Sequence, residues 1–193
     1  VVVYTAAVHP DNPEFQAAKA KGIPMMPRAD LLGEMMRNYK HAVNISGTHG
    51  KTTTTSMLTE ILLAADADPT ITVGGILPAI GGNIRVGGPE FIVAEACEYT
   101  NSFLSFFPTM EIILNIEADH LDFFKDLEDI RHSFRLFAQK LDENGVLIIN
   151  RDIERMEEIT EGLPCKVITF GKDPEKSIYS AADIVFDQLA RAS

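Results

Sequence analysis

The residues with the clearest chemistry lie in "NISGTHGKTTTTSM", positions 44–57. An apolar run, "AVNIS", leads into Gly47, Thr48, His49, Gly50, Lys51, Thr52 and Thr53, and from there into a helical pattern. A strand, a glycine-bearing turn and a helix start make a phosphate cradle. Glycines let backbone N–H groups face an anion, and the helix end adds a positive dipole. Lys51 is then placed to reach β- and γ-phosphates, and Thr52 to put a hydroxyl on Mg²⁺. The loop is shorter than the general G-x-x-x-x-G-K-[ST] form, because Ile45 stands where that form has its first glycine.

Two further apolar runs end in polar groups. "FIVAEAC" ends at Glu95, and a carboxylate at the carboxyl end of a parallel strand is well placed to complete the coordination of that Mg²⁺. Glu98 lies beyond the strand and is the weaker candidate. "EIILNIEADHLD" ends in Asn115, Glu117, Asp119, His120 and Asp122, where an imidazole among carboxylates could bind a second metal ion. Three strands ending this way favour one shared site. Cys97 reads as a packed residue, since no base is tied to it by sequence. His132 sits on a helix whose Phe134 and Phe137 have core spacing.

The elements that must position these groups alternate along the chain. Strands are expected at 1–4, 42–46, 71–73, 91–94, 111–116, 146–150 and 166–170, and helices at 13–21, 30–37, 51–65, 127–141 and 153–160. Several strands are continuous apolar runs, as for strands covered on both faces. The fold class is α/β, a mostly parallel sheet with helices on both faces. The Gly-rich stretch 73–90 reads as a long loop or an irregular hairpin. A boundary is expected near residue 40. The chain opens in a strand-like run without an initiator Met and ends on "IVFDQLARAS", where a strand would begin. We therefore expect a piece of a longer protein.

With 193 residues, Lys+Arg 17 against Asp+Glu 28 and a net charge of −11, the chain is a poor prospect for binding nucleic acid or an anionic membrane. Any polyanion must be met by local positive groups or metal ions. No apolar run approaches a bilayer span. Cys97 and Cys165 show no metal-ligand spacing and suggest a reducing, cytoplasmic setting.

Together, "GTHGKTTTT", "FIVAEAC" and "NIEADHLD" resemble the Mur ligase family, ATP-dependent enzymes that add amino acids to the peptidoglycan precursor. The family's phosphate loop is the short G-T-x-G-K-[ST], which accounts for Ile45. His49 in the variable position and "NIEADHLD" look most like the members that join L-alanine to UDP-N-acetylmuramate, the murein tripeptide-recycling members being the nearest alternative. A non-ligase P-loop ATPase is the rival of another class. The resemblance implies that residues 1–40 are the tail of an N-terminal UDP-substrate domain of Rossmann-like fold, and 41–193 an incomplete central ATP-binding domain. It also implies that a C-terminal amino-acid domain is absent and that the piece alone is inactive. It places Lys51 on phosphate, Thr52 and Glu95 on a first Mg²⁺, and His120 on a second metal, so that Lys51, Glu95 and His120 carry the catalysis. Asn115 lies alongside, and Asn83 is a candidate contact for the muramate sugar. A carbamylated lysine used by several members is not carried over, because Arg135 stands about where it would fall.

Overall fold

The computed structural model describes residues 1–182, 184 and 185. The expected strand in "IVFDQLARAS" and the end of the 41–193 segment lie outside those residues from Phe186 onward.

Strand β1 (Val2–Tyr4), helix α1 (Pro13–Ala20), strand β2 (Met25–Pro27) and helix α2 (Arg28–Met36) form a small parallel unit, with β1 paired to β2. Asn12 starts α1: its side chain accepts the N–H groups of Glu14 and Phe15, and Pro13 occupies the first helical position. Helix α2 also packs against the rest of the chain. Met36 is fully buried in the core of the following residues, and Asp30 accepts a 2.6 Å hydrogen bond from Ser105.

Among the described residues, the remainder is an eight-stranded sheet. Its strands are β3 (His41–Ser46), β4 (Thr70–Leu77), β5 (Gly82–Arg85), β6 (Phe91–Glu95), β7 (Met110–Ile113), β8 (Val146–Asn150), β9 (Lys166–Gly171) and β10 (Tyr179–Ser180). The spatial order is β10-β9-β8-β7-β3-β6-β4-β5, and among the described residues only the β4–β5 pair is antiparallel. Helix α3 (Lys51–Ala64) covers one face, where Leu58 and Leu62 pack on Val43, Ile45, Ile71 and Val93. Helix α4 (Leu127–Ala138), α2 and a 3₁₀ segment, Tyr99–Ser105, cover the other. There Phe103 stacks on Phe137, centroids 4.4 Å apart, and meets Phe134 edge-on at 5.4 Å. Burying each such ring contributes about 1.5–3 kcal/mol. Asp126 caps α4 by accepting the N–H of Asp129, with Glu128 and Asp129 in the positive first turn.

The expected fold class is what the structure shows, with local differences. The Gly-rich stretch is a true hairpin, β4 against β5, with a register shift between Thr72 and Leu77. β7 ends at Ile113 instead of residue 116, because Leu114 and Asn115 leave the sheet to line the glycine loop. The helix expected over 153–160 shrinks to α5 (Glu157–Thr160), since Arg155 takes a left-handed φ of 58° that no continuous helix allows.

Chain direction decides where a site can form. From β3 the chain runs through α3 to β4, then to β6 on one side of β3, and from β6 it crosses to β7 on the other side. β3 thus lies at the switch point of the sheet, where ligands sit in the crevice beyond the strands' carboxyl ends.

Candidate active site

The carboxyl ends of β3, β6 and β7 are level. Ile45 pairs with Glu95, and Ser46 with Ile113. The glycine loop leaves β3 with Gly47 at φ 134°, hemmed in so that a Cβ would lie 3.1 Å from the Asn115 backbone and the Leu114 side chain. Gly50, at φ 86°, turns the loop into α3, whose N-terminus has no side-chain cap. The first amides of α3 therefore keep their donor capacity and the helix end its positive character.

The loop is held from β7's side. Asn115 takes both polar groups of its side chain to His49: Oδ1 accepts the His49 N–H at 2.7 Å, and Nδ2 donates to the His49 carbonyl at 2.9 Å. Thr48 Oγ1 accepts the Glu117 N–H at 2.9 Å, and Thr48 N–H donates to the Asn115 carbonyl at 3.1 Å. Asn115, a possible substrate contact by the resemblance, has both side-chain groups on the backbone of the loop.

Lys51 folds back over the loop. Its Nζ donates to the carbonyls of Gly47 and Thr48 and pairs with Glu98, at 3.0 Å from Oε2 and 3.3 Å from Oε1. The Glu98 side chain is only 2% exposed. His120 Nε2 lies 4.0 Å from Glu98 Oε1 and 3.9 Å from Asp119 Oδ2, and its ring rests on Tyr99, centroids 4.7 Å apart. Tyr99 in turn donates a 2.9 Å hydrogen bond to Asp122. Glu98, ranked low because it follows the strand, is thus the group that connects Lys51 to His120. No sequence signal marks it, because its place depends on the 3₁₀ segment after β6, built on left-handed Thr100 and Asn101.

Glu95 stands at the tip of β6. Its Oε1 accepts the Gly74 N–H at 2.7 Å, and a Cβ on Gly74 would meet Oε2 at 2.9 Å. Gly75 faces Thr52, whose methyl would lie 3.4 Å from a Cβ there. The Gly74–Gly75 bend therefore passes between Glu95 and Thr52 because neither glycine carries a side chain. A hydroxyl and a carboxylate are the kinds of oxygen donor of which Mg²⁺ takes one or two, together with substrate phosphates. No three His, Cys, Asp or Glu gather into a ready metal cage among the described residues.

Beside this centre opens a cleft of ≈ 720 Å³. Tyr4, Arg28 and Asp30 of the N-terminal unit line one side, and Asn83, Glu95 and Tyr99 the other. Cys97 lines it as well, exposed at the surface where the sequence had it packed; desolvation in the cleft pushes its thiol up, so that it is a poorer nucleophile than a free cysteine. Asn83, expected on the sugar, therefore faces the same cleft as the carboxylate end of β6. Of the remaining histidines, His9 pairs with Asp11, His41 stacks on Phe91 and His132 is exposed. Arg135 donates to the carbonyls of Glu158 and Glu161, tying α4 to the α5 segment.

The Mur ligase middle domain matches residues 45–191, about three quarters of the chain, and residues 1–40 match the Mur ligase family, catalytic domain. The chain belongs to the Mur ligase family. Within it, the chain is 67% identical over all of its 193 residues to the UDP-N-acetylmuramate–L-alanine ligase of Lachnospira eligens, and 61% to that of Agathobacter rectalis. It spans 42% of the length of each of these relatives. Among solved structures, the UDP-N-acetylmuramate-alanine ligase of Thermotoga maritima matches with a TM-score of 0.74 and 30% identity, over 88% of this chain and 38% of that one. The UDP-N-acetylmuramate:L-alanyl-gamma-D-glutamyl-meso-diaminopimelate ligase of Neisseria meningitides matches with a TM-score of 0.83 and 25% identity, over 95% of this chain and 61% of that one. The three strand tips lie within the residues that match the Mur ligase middle domain. No helix among the described residues is long and apolar enough to cross a membrane.

Proposed function

We propose that this chain is the nucleotide-binding part of an ATP-dependent ligase that joins L-alanine to the carboxylate of UDP-N-acetylmuramate in peptidoglycan precursor synthesis. One observation carries the reading: the tips of three adjacent strands bring Lys51, Glu95, Glu98 and His120 to one crevice, opening onto a cleft shared by both parts of the chain. The 67% identity over the whole chain supports the choice of substrates. The higher TM-score of the Neisseria structure keeps the tripeptide-recycling reaction as the second reading. A non-ligase P-loop ATPase finds no support in a family match over residues 45–191.

In this reading residues 47–53 cradle the phosphates and Lys51 meets the β- and γ-phosphates. Thr52 and Glu95 would hold one Mg²⁺ and His120 a second metal. When bound, the metal neutralises phosphate oxygens and favours charge developing in transfer. The acid substrate lies in the cleft past Asn83, with its carboxylate toward Glu95. A carboxylate oxygen attacks the γ-phosphorus, the bond to ADP breaks, and an acyl phosphate results. The amine of L-alanine then attacks the acyl carbon and loses a proton, and phosphate leaves. The first step brings two anions together, so Lys51 offsets repulsion where it is largest. No enzyme nucleophile is required, in keeping with Cys97. Residues 1–40 are read as the tail of the UDP-substrate domain and 41–193 as part of the ATP-binding one. Cys97 and Cys165, both free, suit a cytoplasmic setting.

The test is phosphate release by the chain carried at the full length of its relatives. ATP with UDP-N-acetylmuramate and L-alanine should turn over, and the recycled tripeptide in place of L-alanine should not. The opposite preference would transfer the chain to the second reading. A separate expectation concerns Asn115. Asn115→Ala should weaken ATP binding by about tenfold, the worth of one or two net hydrogen bonds to the loop. The KM for the nucleotide sugar should stay unchanged. A change in the sugar KM with ATP affinity intact would return Asn115 to the substrate.

A further inference from the structure

Lys51 Nζ carries three N–H donors. All are committed, to the carbonyls of Gly47 and Thr48 and to Glu98. A phosphate can therefore take Lys51 only by exchange. Glu98 is a buried charge, and stripping the partner from a buried ion is far costlier than stripping one in water. On the far side of the carboxylate lies His120, 4.0 Å from Oε1.

The turn that presents Glu98 is fixed independently of Lys51. Glu98's carbonyl accepts the Asn101 N–H at 2.9 Å, and Thr100 and Asn101 both hold left-handed φ values, 55° and 56°. Such a conformation is strained for a β-branched threonine and persists only where its surroundings impose it. Here the constraint comes from the core. Ser133 of α4 donates to Asn101 Oδ1 at 2.7 Å, and Phe103 is clamped between Phe134 and Phe137. The backbone that carries the carboxylate thus stays in place when Lys51 moves.

We propose that Glu98 makes nucleotide binding depend on the divalent cation: a triphosphate that draws Lys51 away leaves a buried carboxylate beside its own negative charge, and only a cation arriving with the phosphates balances both. Glu98 is in this sense a positioning residue, acting through Lys51 and His120. The inference rests on the nucleotide site proposed above. Its consequence is a coupling free energy, and by linkage the cation tightens nucleotide binding as much as the nucleotide tightens cation binding.

Equilibrium binding of ATP in excess EDTA and in excess magnesium chloride tests it, with the chain at the full length of its relatives. Wild type should bind ATP at least about tenfold more weakly in EDTA, within the usual range of such couplings. Glu98→Gln should tighten metal-free binding by about tenfold and shrink the magnesium effect to match. Glu98→Asp, which keeps the charge, should retain the wild-type magnesium effect. A purely structural role would weaken binding in both buffers alike, and that result overturns the proposal. So does an unchanged metal-free affinity in Glu98→Gln when wild type binds normally. Folded wild type that binds no ATP in either buffer overturns the nucleotide site itself. If Glu98→Gln does not fold, the same comparison is read between K51M/E98Q, which removes both charges, and K51M. The double variant should bind metal-free ATP more tightly, and equal affinities overturn the proposal.

Discussion

Lys51→Ala is expected to lower substrate-dependent phosphate release by about 10³-fold, the usual loss when one preorganised charge on a transferring phosphoryl group is removed. Two anions must approach within bonding distance in the first step, and Lys51 is the cation that the glycine loop holds closest to where they meet. The substitution has a second effect that must be separated from the first. It leaves Glu98, 2% exposed, without its ion-pair partner, which costs roughly 3–5 kcal/mol of stability. Lys51→Met combined with Glu98→Gln removes both charges at nearly constant volume, so it should restore much of the thermal stability and none of the turnover. Turnover within tenfold of wild type in the single variant, measured as phosphate released at saturating substrates, would take the loop out of the mechanism.

The loop was readable because its requirements are local. A strand, two glycines three apart and a helix start are consecutive in the chain, and His41–Ser46 and Lys51–Ala64 fall within a residue of the expected bounds. Glu95 and His120 were readable for a related reason: an apolar run that ends in a polar group marks the carboxyl end of a buried strand. Glu98 was undervalued because its position depends on a 3₁₀ turn built from left-handed Thr100 and Asn101, and no propensity favours that conformation for threonine. The hydrogen bonds of Asn115 to His49 were not legible in the sequence. Whether an amide at a strand tip turns outward to a ligand or sideways to His49 depends on a loop from another strand. The Gly74–Gly75 bend has the same character, since its purpose shows only when Glu95 and Thr52 flank it.

Glu111 illustrates a feature of the core that composition hides. It lies on the inner strand β7, wholly inaccessible, in register with Asn44 of β3 and Leu147 of β8. Among the described residues, neither of its oxygens has a hydrogen-bond partner, nor does the Asn44 amide. Burial pushes its carboxyl well above the ordinary 4.5, and the attraction of Lys140 beyond α4 opposes this only in part. Lys140 is itself drawn down, first by its own burial and then by Arg37. The folded chain therefore keeps a proton on Glu111 that the unfolded chain gives up above about pH 4.5. The folded state binds more protons, so this group's contribution is fully present below that pH. It declines by up to about 1.4 kcal/mol per pH unit as the pH rises toward the folded value, and is level above it. Glu111→Gln cannot ionise and removes the slope. In urea unfolding at about pH 5, 6.5 and 8, its stability relative to wild type should rise with pH. A difference that stays constant across the three would mean that Glu111 titrates alike in the folded and unfolded chain, and hence that an ion or a water chain reaches β7 through a core that the packing of Phe103, Phe134 and Phe137 otherwise closes.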